Sequence, residues 1–166
     1  MTEVHPGARS LRAWLVRSAH LVAPPLLRVA LAVPFLRSGL TKWDGLLSLS
    51  PAAVFLFEEE FKLHVFGRTY DLPAPGTLAL LTGVAEIVLP VLLILGLATR
   101  LSALALLVMT AVIQLVVPEG WANFHLPWAA LAVAILALGP GPLSVDHLIG
   151  WFTQGHSTRR RAPEQP

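Results

Sequence analysis

The chain has 166 residues, of which 55% are hydrophobic and 13% charged, whereas an ordinary soluble domain carries about 45–50% apolar and about 25% charged residues. With a mean hydropathy of +0.67, that composition argues against soluble packing and for one membrane domain. Lack of cysteine excludes disulfides, thiolate metal sites and a CxxC redox pair, and a net charge of +2 without a long basic tract gives no basis for nucleic-acid binding.

Residues 1–18 form a polar, Arg-bearing segment. The run "AHLVAPPLLRVALAVPFLRSGL" that follows supplies about the 20 residues a helix needs to cross a bilayer, which predicts a first span over residues 19–41. Its start resembles a signal peptide, but the apolar part is too long and too charged, and no small-residue cleavage site follows. The span is expected to be retained.

Residues 43–75 mix aromatics with Glu58, Glu59, Glu60 and Asp71 and end in a Pro and Gly cluster, so they are expected outside the hydrocarbon. Ser50 before Pro51 reads as an N-cap followed by proline at the first helical position. It predicts a short amphipathic surface helix from Pro51 to Val65.

Three further spans are predicted over residues 77–98, 100–118 and 121–139, with Glu86 inside the second and Gln114 inside the third. "GPGPLSVDHL" reads as a turn leading into an interfacial helix over 143–152, with Leu143, His147, Leu148 and Trp151 on one face. It lacks the GK[ST] ending and the preceding strand of a phosphate-binding loop. Residues 153–166 are expected to be a disordered cytoplasmic tail. The fold class is therefore all-α: a polytopic membrane protein with a four-transmembrane-helix bundle over residues 19–152 and a short surface helix between the first two spans.

Orientation follows from the Lys and Arg residues, which are in excess in cytoplasmic loops. Arg9, Arg12, Arg17, Arg100 and Arg159 to Arg161 fall on one side of such a bundle, against Lys42, Lys62 and Arg68 on the other. Both termini are expected in the cytoplasm, with the acidic 43–75 segment facing outward.

The first span poses a problem in electrostatics. At about 100° per residue, Phe35, Gly39 and Lys42 return to within about 40° of Arg28 and form one stripe, with Arg37 roughly opposite. An unpaired arginine near mid-membrane costs at least about 2.5–3.5 kcal/mol. Glu86, halfway along an antiparallel neighbour, is the expected partner, which makes Arg28, Lys42 and Glu86 the candidate ligand-binding or buried charge network. That network reads equally as a device fixing helix packing or as a site where Glu86 titrates or a quinone-like head group binds. At the outer rim, Gln114, Trp121, Asn123 and His125 read either as an interfacial aromatic belt with polar company or as the mouth of that site. Glu119, His125 and His64 are too weakly spaced to assign a metal site, and no catalytic residue is assigned.

The stripe of Arg28, Phe35, Gly39 and Lys42, the block "GVAEIVLPVLLILGLATRLSALAL" with Glu86 and Arg100, and the closing "GPGPLSVDHLI" together resemble the DoxX family of small bacterial membrane proteins. The resemblance covers about residues 26–150. It implies a four-helix bundle in a bacterial inner membrane and a link to redox chemistry, since DoxD-like relatives look like subunits of a thiosulfate:quinone oxidoreductase and others are associated with oxidative-stress complexes or with peptide- and metal-handling gene clusters. Pro24, Pro25 and Pro34 in the first span and the long acidic segment depart from the family pattern. The leading expectation is a non-catalytic or accessory membrane subunit of a quinone-linked or stress-related system, in contact with lipid and with a protein partner or a second copy. A small carrier or channel for a proton, anion or solute, and a purely structural scaffold, are the alternatives.

Overall fold

A computed structural model describes residues 6–45 and 48–157, with side chains at 13–45 and 48–153. Four helices among them are long and apolar enough to cross a membrane: Ala13–Thr41, Pro75–Leu95, Thr99–Val116 and Pro118–Leu138. The first belongs to a continuous helix, α1, from Pro6 to Thr41. At 36 residues and about 1.5 Å per residue it outreaches a bilayer core of about 30 Å. Its start thus lies well before the expected residue 19, and Pro24, Pro25 and Pro34 are all carried inside it. The expected disordered tail from 153 is helical as far as Ser157, and residues 158–166 lie outside the described residues.

Between the first two spans, Ser50 caps the short helix α2, Pro51–Phe55, and accepts the Ala53 N–H on its hydroxyl. Here the expected helix to Val65 needs correction. The backbone loosens into one π turn over Leu56–Glu60 and then forms a hairpin, β1 Lys62–Val65 with β2 Arg68–Asp71. Pairing runs Lys62 with Asp71 through Val65 with Arg68, closed by Phe66 and Gly67 at positive φ of 51° and 73°. Those values are those of a two-residue I′ turn, whose twist matches paired strands. A short run "KLHV–FG–RTYD" therefore escaped a helix-periodic reading.

The second span is α3, Pro75–Leu95, and the third is α4, Thr99–Val116. Gly96 ends α3 at φ 71°, with the Gly96 and Leu97 N–H groups bonded to the Leu93 and Leu92 carbonyls, the Schellman arrangement that glycine adopts without steric cost. The fourth span is composite: a 3₁₀ turn at Pro118–Gly120, a π turn at Trp121–His125 and α5, Leu126–Leu138. A last helix, α6, runs from Val145 to Ser157. Leu143, Leu148 and Trp151 are all exposed around it, as an interfacial element requires.

α1 packs against α3 and α5, and α4 packs against the same two, so the four spans close a ring. The core comprises Leu31, Ala32 and Phe35 from α1, Leu93 from α3, Ala103 and Leu106 from α4, and Ala132 and Ile135 from α5. Phe35 lies tilted against Trp128, with ring centroids 5.0 Å apart. Polarity runs opposite to a soluble bundle. Arg28, Glu86, Ser102, Thr110 and His125 are buried, while Leu26, Leu81, Leu101, Val108 and Val133 face outward, where lipid would meet them. Gly39 allows the closest approach, since a Cβ there would stand 2.9 Å from the Glu86 backbone. Small residues at such crossings let membrane helices pack by van der Waals contact.

Candidate functional site

Arg28, Phe35 and Gly39 are all buried along one face of α1, with Lys42 half-buried on the same face and Arg37 exposed. The stripe therefore survives the prolines. Its expected ion pair does not. Glu86 accepts from Lys42, Nζ to Oε2 at 2.5 Å, with the two side chains 12% and 4% exposed, and Lys42 also donates to Ser38 Oγ at 2.9 Å. The register of α1 against α3 explains the change of partner: Gly39 lies against Glu86, whereas Arg28 lies against Gly96. Ten residues of α3, about 15 Å of helix, separate the two levels. A first span starting at residue 19 would put Arg28 near the level of Glu86, whereas α1 begins at Pro6 and its register sets Lys42 there instead.

The Lys42–Glu86 pair lines a cavity of about 180 Å³ between α1, α3, α4 and the surface segment. Apart from Ser38 and Thr82 its other walls are apolar, notably Phe57, Phe61, Met109 and Ile113. Phe57 and Phe61 meet edge to face at 5.1 Å and, with Ser38 and Lys42, also line a second cavity of about 260 Å³ toward α2. The two aromatic rings thus stand between two spaces that share one ammonium group. The role of Phe57 and Phe61 was missed in the sequence because their helix was expected to lie flat on the membrane, not over a cavity.

Of the four rim residues, the structure brings two together. His125, which is buried, donates from Nδ1 to Gln114 Oε1 at 2.6 Å, and Gln114 Nε2 donates to the Pro118 carbonyl at 3.1 Å. Gly120 makes room for the imidazole, since a Cβ there would stand 2.5 Å from the ring. Trp121 and Asn123 point outward and do not join them. His64 donates instead to the Leu115 carbonyl at 3.2 Å, which ties the hairpin to α4. The described residues contain no cluster of three or more His, Cys, Asp or Glu residues that could hold a metal.

Arg28 belongs to the opposite end of the bundle. Its Nη2 donates to the Leu143 carbonyl at 2.5 Å, and it lies close enough to Asp146 for mutual attraction. Asp146 accepts the Ala98 and Thr99 N–H groups, each at 2.8 Å, so it caps α4, whose entry residue Ala98 sits at φ 49°. The Asp146 N–H in turn bonds the Gly96 carbonyl at 2.9 Å. Partial burial opposes ionisation of Asp146, but the Thr99 N–H, the nearby Thr99 hydroxyl, the Ala98 N–H and the Arg28 charge outweigh it and hold its pKa below the ordinary aspartate value. Arg28 thus joins a clasp formed by "GPGPLSVDHL", and none of the described cavities reaches it.

A family model described as DoxX matches residues 23–119. The chain belongs to the DoxX family. That stretch holds Arg28, Lys42, Glu86 and Gln114, together with the whole surface segment, while the fourth span from Gly120 on and the "GPGPLSVDHL" segment lie beyond it. No curated protein and no solved structure matches the chain significantly. The family and the four apolar helices make it a multi-pass integral membrane protein.

Proposed function

We propose that this DoxX-family protein is an accessory membrane subunit of a redox system that holds a quinone-type head group in the cavity beside Lys42 and Glu86. One observation carries the reading: a largely buried ammonium–carboxylate pair lines a mostly apolar cavity within a membrane bundle. Ionisable groups inside membranes are costly and tend to mark ligand or proton routes. A volume of about 180 Å³ is below the about 300–1,000 Å³ of sites for drug-sized ligands and suits a single ring.

The residues fit such a group. An ammonium has three N–H donors, of which Ser38 and Glu86 take two, leaving one for a ring carbonyl. Phe57 and Phe61 offer aromatic faces to the ring. Glu86 can hold a proton at its carboxylate. A bound quinone would supply two-electron, two-proton redox chemistry that no side chain of this cysteine-free chain provides.

The bacterial inner membrane, cytoplasmic termini and a protein partner on the outward segment belong to the same proposal, supported by the Lys and Arg distribution and by exposed Phe55, Glu58, Glu59 and Glu60. A carrier built on broken helices is less well supported, because Pro34 and Pro90 lie inside continuous helices. Native mass spectrometry of the detergent-purified protein, with released small molecules identified, tests the reading. Wild type is expected to carry a quinone that Glu86→Gln loses while remaining assembled. Bulk lipid alone in both would overturn it.

A further inference from the structure

A groove of about 490 Å³ lies at the basic end of the bundle, between the N-terminal half of α1 and the link after α5. Its walls are apolar, from Leu21, Pro24, Leu138 and Pro142, and Arg17 and His20 line it as polar groups. Arg17 and His20, three residues apart on one helix, share a face. Both are exposed. Gly141, at φ 74°, shapes the wall, because a Cβ there would overlap the Pro24 ring.

The tandem prolines add a feature of opposite polarity. Pro24 and Pro25 have no N–H, so the carbonyls of His20 and Leu21, four residues earlier, lose their i+4 helical donors. Both residues line the groove. The site therefore joins a cation, an N–H donor, carbonyl acceptors deprived of their i+4 donors and apolar walls at one end of a membrane-spanning bundle. A bare phosphate satisfies only the donors, and a choline headgroup brings no hydrogen-bond donor for the carbonyls.

We propose that this groove binds an anionic phospholipid of the phosphatidylglycerol class, with its phosphate at Arg17 and His20, its glycerol hydroxyls at the His20 and Leu21 carbonyls, and an acyl chain along the apolar walls. Basic pockets between membrane helices are suited to such headgroups. The site is separate from the Lys42–Glu86 cavity, so it stands whether or not a quinone binds there.

The test is a lipid titration of the full-length protein in detergent micelles, read by native mass spectrometry with acyl-matched phosphatidylglycerol, phosphatidylcholine and phosphatidic acid. Wild type is expected to retain phosphatidylglycerol about fivefold or more over phosphatidylcholine, the worth of roughly one basic residue at an anionic headgroup. It is also expected to prefer phosphatidylglycerol over phosphatidic acid, which has the charge without the glycerol hydroxyls. Arg17→Gln with His20→Gln should abolish the preference, and Arg37→Gln, an exposed arginine at the other end of α1, should leave it intact. Equal retention of the three lipids by wild type, stronger retention of phosphatidic acid, or the same loss in Arg37→Gln would overturn the proposal.

Discussion

The two ends of the bundle each shield a cation from solvent, and they treat it differently. At the hairpin end, Lys42 meets a carboxylate on the neighbouring helix and both line a cavity. At the basic end, Arg28 is clasped by the Leu143 carbonyl and drawn toward an aspartate that is already capping α4. Burial and charge alone therefore do not mark a functional site in this bundle. An ionisable pair beside open volume can bind or carry something, whereas a packed guanidinium held by one backbone carbonyl, with Nε and Nη1 buried and unpaired, ties helices together.

The largest effect expected from breaking this contrast is at Gly96. Its φ of 71° and the overlap that a Cβ would make with Arg28 and Ser144 should make Gly96→Ala lose about 3 kcal/mol. A large fall in thermal stability in detergent would register it. Gly39→Ala should cost about 2 kcal/mol by pushing α1 off the Glu86 backbone. In contrast to Gly96→Ala, it should also disturb the cavity, so ligand retention separates the two variants.

Asp146→Asn replaces one of the two oxygens that accept the Ala98 and Thr99 N–H groups by an NH2 donor and is expected to cost about 1 kcal/mol. Its pH signature has a definite sign. Because the folded state holds the Asp146 pKa below its ordinary value, the stability it contributes is present above the unfolded pKa of about 4 and is lost as pH falls through the folded value. Thermal melts of wild type from pH 6 down to pH 3 should therefore show an acid-side loss that is reduced in the variant. The smallest effect is expected at Lys62 and Asp71, which pair at 2.8 Å on the hairpin. There the hydrogen bond to Asp71 raises the Lys62 pKa, but the pair lies in solvent, and Asp71→Asn should leave the melting temperature unchanged. A measurable drop would show that the hairpin is buried against something in the native assembly.

The four spans, their order and the buried stripe on α1 were legible because hydropathy over about 20 residues and a 3.6-residue period are strong signals. The Lys42–Glu86 pairing was not legible, since it depends on the register between α1 and α3. A contact at Gly39 settles that register, and no local pattern records it. The hairpin was hidden for a different reason: Phe66 at positive φ is unusual for a bulky residue, so "VFGR" lacks the Asn-Gly or Asp-Gly signature of a I′ turn. Asp146 as the cap of another helix is likewise a tertiary fact. The αL conformation of Ala98 that exposes those N–H groups to it has no sequence marker.

The most direct measurement compares quinone retention by Glu86→Gln and Asp146→Asn in parallel, each purified in the same detergent and shown to be assembled. Loss of the quinone in Glu86→Gln with retention in Asp146→Asn is the predicted result, because only the hairpin end borders the cavity. Retention in Glu86→Gln, or equal loss in both, would contradict the assignment of binding to Lys42 and Glu86.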